Sequence, residues 1–304
     1  MKKALTVLGF VVAICMGPLG GYWAQEWAKE KADWRQHHPI TEITVNGVER
    51  KYHLFVPTSS QERPMSLVVM LMGGDAGSWK FPQQGKWEEL AETEGMVIAF
   101  PVGKLFPPNE SAWQLNTHSQ ARHDIDFMAA MIDDISASHA IDSRRVFAVG
   151  YSLGSMFSYE LACQMSERFA AIASFAGTMP VSPKSCDPQR NVPLMHIHGV
   201  KDPIISYEHA WDWKDWDSVG TMRDIPSLVQ FWRDRYNCQE ERRVVSESRV
   251  HLVYDSCEQG ARVEHYRLET VGHEWPETLR GVSTHEVIWS FFSDFTTRQR
   301  VDDG

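Results

Sequence analysis

Residues 144–156 read RRVFAVGYSLGSM, and no other stretch restricts the fold of this chain so tightly. A short apolar run, Val146-Phe147-Ala148-Val149, meets Gly150-Tyr151-Ser152-Leu153-Gly154. Met156, Tyr159, Glu160, Leu161 and Cys163 then follow a helical pattern. The order predicts strand, sharp turn and helix. Such a turn holds its serine at a strained backbone angle, and its flanks are glycines because the neighbouring strands and the helix leave no room for a Cβ. The Ser152 hydroxyl is thereby lifted clear of the sheet. The first amides of the following helix point at the space beside it, where a developing negative charge would be stabilised.

The rest of the chain supplies a sheet for that turn. Residues 41–45 and 50–56 alternate around Asn46-Gly47, which predicts an antiparallel hairpin. Residues 67–72 are a continuous apolar run, as expected of a strand buried on both faces, and lead into Gly73-Gly74-Asp75-Ala76-Gly77. A helix over 87–94 and a buried strand over 96–100 come next. Residues 102–123 show no periodicity and read as a long loop at one end of the sheet. Helical spacing returns over 125–135, 225–236 and 283–295, and strand-like runs at 169–175, 194–198, 250–254 and 263–268. Strands alternating with helices mean an α/β fold, a mainly parallel sheet with helices on both faces and an N-terminal antiparallel hairpin. The division is a signal or anchor over 1–24, a polar, Trp-dotted lead-in over 25–40, one folded domain over 41–298 and a tail over 299–304.

Bulk properties narrow the partners. The chain has 304 residues, 43% of them apolar, enough for one sizeable core. Its net charge is −10, and beyond Lys3 no run of Lys or Arg exceeds two residues, which argues against nucleic acid and against an anionic membrane surface. Lys2-Lys3 followed by an uncharged apolar run over 4–16 and Gly17-Pro18 has the layout of an export signal. The uncharged stretch 4–25 is also long enough to be retained as an anchor, the one route to a membrane. Either way the body of the protein is expected outside the cytoplasm, secreted, periplasmic or tethered. Four cysteines follow Cys15, an even number that suits an exported chain. Cys238 and Cys257 close a short loop and form the expected disulfide. Cys163, on the helix after the serine, suits a buried thiol as well as a bridge to Cys186.

A serine hydroxyl is a weak nucleophile and needs a base, and the base needs a carboxylate to hold its tautomer. On a sheet of this kind the partners follow in the order serine, acid, histidine, each on a loop after a later strand. Asp202 fits the acid, reached from residues 194–198 through Gly199-Val200-Lys201. His273 fits the base, in Thr270-Val271-Gly272-His273-Glu274-Trp275 just past residues 263–268. Asp187, Asp212, Asp215, Asp217, Asp224 and Asp255 lack a buried strand at the right place in the order, and His285 lies within the last helix. His196 and His198 could be read as a metal pair on one strand face, but no third ligand has a matching context, so neither metal nor other cofactor is expected. The oxyanion donors would be the amide of Leu153 and one from Gly73-Gly74, assigned to Gly74. Asp75 beside them is expected to point outward or to be paired. Trp211, Trp213 and Trp216, interleaved with acids, would either stack on a sugar ring or aromatic acyl group or pin a long loop to the core. Trp113 and Trp275 could line the same cleft.

Several blocks, in this order, resemble the polyhydroxybutyrate depolymerase and feruloyl esterase family of α/β hydrolases: residues 67–73, Gly150-Tyr151-Ser152-Leu153-Gly154, Ala176-Gly177-Thr178-Met179-Pro180, His196-Ile197-His198-Gly199 through Asp202-Pro203, and Gly272-His273-Glu274-Trp275-Pro276. The similarity runs over residues 52–295. It implies an α/β-hydrolase fold and an extracytoplasmic carboxylic ester hydrolase working through an acyl-Ser152 intermediate, with Ser152, Asp202 and His273 as its triad. The implied substrate is a hydroxybutyrate-type polyester oligomer or a feruloyl or acetyl ester of polysaccharide. The resemblance also supports the Cys238–Cys257 bridge. Two positions depart from the family pattern: Met72-Gly73 stands where His-Gly is usual, and Asp75 where small residues are common. Two other readings are a weakly catalytic module that holds polysaccharide or polyester in a Trp-rich cleft, and a serine peptidase of the same fold. For the peptidase, no acidic pair suited to a substrate amino terminus is evident.

Overall fold

The computed structural model describes residues 29–58, 64–74, 81–106, 112–117, 122–213 and 219–297. The chain divides into two compact units, Met1–Pro39 and Ile40–Gly304. In the first, residues 29–37 form helix α1, and the His38 ring stacks on Trp34 at 4.3 Å while its Nδ1–H donates to the Trp34 carbonyl over 2.7 Å. The segment read as a polar lead-in thus contains a helix. Lys, Glu, Ala, Arg and Gln favour a helix here, but no apolar stripe announces it. The expected signal or anchor over 1–24 and the tail over 299–304 lie outside the described residues. Among the described residues no helix is long and apolar enough to cross a membrane.

The second unit begins with β1 (Ile40–Val45) and β2 (Val48–Phe55), paired antiparallel. Asn46 and Gly47 between them take φ of 51° and 78°, as a two-residue type I′ turn requires. There follow β3 (Met65–Leu71), α2 (Gln84–Glu94), β4 (Met96–Pro101), α3 (His123–Ser138), β5 (Ile141–Tyr151), α4 (Leu153–Gln164), β6 (Ala171–Phe175) and β7 (Leu194–Gly199). A short ribbon of β8 (Trp211–Asp212) and β9 (Thr221–Met222) precedes α5 (Ile225–Arg235). The chain closes with β10 (Glu240–Ser246), β11 (Arg249–Asp255), β12 (Val263–Leu268), the ribbon β13 (Thr278–Leu279) and β14 (Val282–Ser283), and α6 (Thr284–Ser293).

Ten strands form one sheet in the order β1-β2-β4-β3-β5-β6-β7-β12-β11-β10. From β4 to β12 neighbours run parallel, and the two outer pairs on each side are antiparallel. Every residue of β4 and β6 is buried, because helices cover both faces. Leu67, Val69, Leu71, Ala148 and Ile172 join the cluster that holds the apolar sides of α3, α4 and α5. Alternation sends Phe147 the other way, where it stacks on Phe292 of α6 at 4.8 Å. Helix α5 starts where Asp224 accepts the Ser227 amide at 2.8 Å, with Pro226 in the first turn.

Besides the two short ribbons β8–β9 and β13–β14, which the sequence did not announce, two strands of the large sheet differ from expectation. β5 begins at Ile141, well before the apolar run, and reaches Met65 across an irregularity in register. β10 was not expected at all; it is exposed along its whole length. An edge strand packed on neither face is under no pressure to alternate apolar with polar residues.

The Cys238–Cys257 disulfide is present, and Cys163 is bridged to Cys186, which decides the alternative left open by the sequence. Cys238 and Cys257 tie the segment after α5 to the end of β11. Replacing both by serine is expected to lower unfolding free energy by about 3 kcal/mol in urea titration, the entropy of a loop of this length in the unfolded chain. A change below about 0.5 kcal/mol would show that the bridge does not stabilise the fold.

Candidate active site

Ser152 sits between β5 and α4 at φ 55° and ψ −121°. For a non-glycine residue that conformation costs roughly 1–3 kcal/mol, so the surroundings must impose it. The Ser152 amide donates to the Phe175 carbonyl over 2.9 Å, and its own carbonyl accepts from Met156 at 3.1 Å, inside α4. The flanking glycines interlock strand, turn and helix. A Cβ on Gly150 would lie 2.3 Å from the Gly154 oxygen, and one on Gly154 would lie 2.2 Å from the Leu71 oxygen.

The structure brings the three residues selected from the sequence together. Each follows a parallel strand at its C-terminal end: Ser152 after β5, Asp202 after β7 and His273 after β12. Ser152 Oγ donates to His273 Nε2 over 2.9 Å, and His273 Nδ1 donates to Asp202 Oδ2 over 2.7 Å. The acid and base loops are joined by the Lys201 amide, which donates to the Val271 carbonyl at 3.0 Å. Tyr151, next to the serine, donates through its hydroxyl to the His273 carbonyl at 2.9 Å, so the elbow itself steadies the base loop.

The Asp202 side chain is wholly buried. Burial opposes its ionisation, but the hydrogen bond from His273 and the amides of Ile205 and Ile204, each 2.8 Å from Oδ1, outweigh that and hold the carboxyl below the usual range. The acid is therefore a carboxylate near neutrality. His198, one residue from the end of β7, donates through Nε2 to the Ile205 carbonyl at 3.0 Å and lies 3.5 Å from Asp202 Oδ2. It closes the acid turn from beneath. Burial lowers the His198 pKa to about 4, so the ring is neutral at pH 7.

His196 and His198, the pair that resembled metal ligands, belong to a buried stack. Their rings lie 5.3 Å apart, and His265 of β12 lies 5.4 Å from His196. The Tyr159 hydroxyl serves His196 Nδ1 at 2.7 Å, and the Tyr207 hydroxyl serves His265 Nε2 at 2.8 Å. Partners in hand, these rings act as core. Sequence spacing put His196 and His198 on one face; the tyrosines and His265 come from other elements and carried no local signal.

For the oxyanion position, Leu153 is the first residue of α4, where amides have no acceptor within the helix. The backbone of Gly73 runs along Ser152: a Cβ placed there would lie 3.3 Å from Ser152 Cβ and 3.8 Å from Oγ. Gly74 follows, facing open space. Asp75 lies outside the described residues.

The five tryptophans separate. Trp275 is partly buried beside His273; its Nε1 donates to Gln83 Oε1 at 3.3 Å, and its ring meets Phe81, Tyr151 and Phe175 edge-on at 5.4, 6.3 and 5.1 Å. Trp211 and Trp213 pack against the core cluster with ring centres 5.2 Å apart. Trp216 lies outside the described residues. Trp113 is 1% exposed, which corrects its place as a stacking platform: it lies flat on Phe157 at 5.0 Å and donates through Nε1 to the Met72 carbonyl at 2.8 Å. An indole packed on both faces offers none to a ligand.

A strained serine at a strand-to-helix elbow, hydrogen-bonded to a histidine that is held by a buried carboxylate, all at one end of a mostly parallel sheet, defines the serine hydrolases of α/β fold. The chain belongs to the PHB depolymerase esterase family, whose model matches residues 50–222. It is 26% identical over 258 residues to the bifunctional acetylxylan esterase/xylanase XynS20E of Neocallimastix patriciarum, covering 82% of this chain and 34% of that protein. With feruloyl esterase B of Piromyces equi it shares 22% over 242 residues, 79% of this chain and 43% of that one. It thus spans about a third and under half of these two relatives. The acetyl xylan esterase structure from Aspergillus awamori superposes with a TM-score of 0.60 at 16% identity, over 84% of this chain and 98% of the other. That last likeness concerns the fold.

Proposed function

We propose that this protein hydrolyses carboxylic esters through an acyl-Ser152 intermediate, outside the cytoplasm, with acetyl or feruloyl esters of polysaccharide as its substrate class. His273 takes the Ser152 proton as Oγ attacks the ester carbonyl, and Asp202 steadies the imidazolium that results. The amides of Leu153 and of the Gly73-Gly74 loop receive the negative charge on the carbonyl oxygen. The imidazolium then returns its proton to the departing alcohol, and water activated by the same histidine frees the acid. The observation that carries this reading is the continuous Ser152–His273–Asp202 hydrogen-bond chain around a serine strained at φ 55°. The choice of a polysaccharide ester over a polyester oligomer is supported by the relatives named acetylxylan and feruloyl esterases, and Trp275 with Tyr151 would form an aromatic wall beside the base. Two disulfides suit an oxidising compartment.

The test is labelling with a fluorophosphonate followed by peptide mass mapping, alongside turnover of acetylated and feruloylated xylan oligomers and of hydroxybutyrate trimers. Rapid labelling confined to Ser152, with the xylan esters cleaved fastest, is expected. A folded protein that does not label would overturn the hydrolase reading and favour a binding module. Fastest cleavage of hydroxybutyrate trimers would overturn the choice of substrate alone.

A further inference from the structure

Resting on the ester-hydrolase reading above, we propose that Trp113 is a positioning residue of the oxyanion hole: its indole N–H fixes the Met72–Gly73 peptide plane, which carries the Gly73 amide and sets where the Gly73-Gly74 loop begins. The problem it solves is local. Two successive glycines have the widest backbone freedom of any pair, yet donors to an oxyanion are effective only when already aimed. Met72, which precedes them, carries a thioether with no hydrogen to donate.

Trp113 Nε1–H donates to the Met72 carbonyl at 2.8 Å. In a trans peptide the C=O and the next N–H point in opposite directions, so holding the Met72 oxygen turns the Gly73 N–H away from Trp113 and sets where the loop begins. From the other side α4 presses on the same carbonyl, since a Cβ on Gly154 would stand 2.3 Å from the Met72 oxygen. The plane is held between the indole and the start of the helix.

Trp113 is itself immobilised. Its ring stacks on Phe157 of α4 with 9° between planes. The backbone that follows it is tied to two buried carboxylates: the Gln114 amide donates to Asp124 Oδ2 at 2.7 Å and the Asn116 amide to Glu160 Oε1 at 2.8 Å. Asp124 is held in turn by Arg50 at 2.7 Å. Residues 112–117 of the long loop thus serve as a rigid strut that ends on the carbonyl before the oxyanion glycines.

The experiment compares wild type, Trp113→Phe and Phe157→Leu, using kcat and KM for 4-nitrophenyl acetate, the fluorophosphonate labelling rate, the pH profile of kcat, and thermal melting. Trp113→Phe removes the donor and keeps a ring. Its kcat and labelling rate are expected to fall roughly 10- to 100-fold, with KM within about twofold and the pH midpoint unmoved, because the Ser152–His273–Asp202 chain is intact. Phe157→Leu loosens the stack that immobilises the indole but keeps the N–H, and should melt earlier with a smaller loss of kcat than Trp113→Phe. A folded Trp113→Phe with wild-type kcat, or one whose kcat falls no further than that of Phe157→Leu, would overturn the inference. Should Trp113→Phe fail to fold, β-(3-benzothienyl)alanine at position 113 keeps the shape and deletes only the N–H, and the same outcomes decide. A wild type that neither turns over the ester nor labels would count against the hydrolase reading itself and remove the ground for this one.

Discussion

Replacing Ser152 by alanine is expected to lower kcat/KM for ester hydrolysis by roughly 10⁶-fold, leaving only what binding and the oxyanion amides provide. The size follows from how the residues act as a unit. Without Oγ, His273 has no proton to accept and Asp202 no imidazolium to steady, so removing the serine silences the other two as well. Asp202→Asn should cost roughly 10⁴-fold, because the amide in place of the carboxylate favours the wrong tautomer of His273. Stability moves differently. Ser152→Ala keeps a Cβ at φ 55° and should melt close to wild type, whereas Ser152→Gly relieves the strain and should gain roughly 1–2 kcal/mol while remaining inactive. Steady-state kinetics and urea titration of the three variants are the measurements. Residual activity of Ser152→Ala above about a hundredth of wild type would place the nucleophile elsewhere, and an unstabilised glycine variant would show the elbow to be relaxed.

Lowering the pH from 6.5 to 4.5 should cost the fold several kcal/mol. His196, His198 and His265 are buried next to one another between β7, β12 and the acid turn. Burial lowers His198 to about 4 and His265 to about 3, and pushes His196 well below its usual value, helped by its two histidine neighbours. The groups facing them are Tyr159, Ser174, Tyr207, His251, the Ile205 carbonyl, Asp202 and Arg267, and of these Asp202 and Arg267 are charged near neutrality. The unfolded chain takes up these protons near pH 6.5 and the folded chain does not, so stability is complete above that pH and is lost as pH falls towards 4. Buried Glu160 and Asp124, both raised by desolvation, work in the opposite direction, and His285, also lowered by burial, joins the three rings, so two groups oppose four. A net difference of two protons gives a slope of roughly 3 kcal/mol per pH unit. Because the unfolded histidines are only half protonated at pH 6.5, the loss over the two units is roughly 4 kcal/mol, a large fraction of a typical domain's stability. Urea titrations at pH 7, 6, 5 and 4.5 measure it, and a flat profile would mean that the three rings are charged or hydrated in the folded protein.

Both expectations depend on features of different legibility. The elbow could be read because all its requirements are local: the strand, the two glycines and the helix are contiguous, and steric exclusion at Gly150 and Gly154 acts within a few residues of Ser152. Asp202 and His273 could be read because chain order on a parallel sheet constrains which loops share an end with the serine. The buried strands announced themselves by unbroken apolar runs, and the hairpin by Asn46-Gly47, since both follow from covering a backbone that must satisfy its hydrogen bonds. Strand β10 and helix α1 did not, because neither presents a face that packing obliges to be apolar.

Trp113 shows the other limit. Its sequence neighbourhood, a polar loop without periodicity, is what a ligand-stacking tryptophan would also have. Its burial on Phe157 and its bond to Met72 come from α4 and β3, elements far from it in sequence. The pairing of Cys163 with Cys186, the tyrosines that serve the buried histidines, and His198 beneath the acid turn are of the same kind. The sequence alone determined the α/β sheet, the elbow at Ser152 and the chain order of Ser152, Asp202 and His273 on it, because backbone sterics and hydrogen-bond satisfaction act over a few residues. Only the tertiary structure decided which side chains brace those three, because that depends on which distant elements the close-packed core brings within hydrogen-bonding distance.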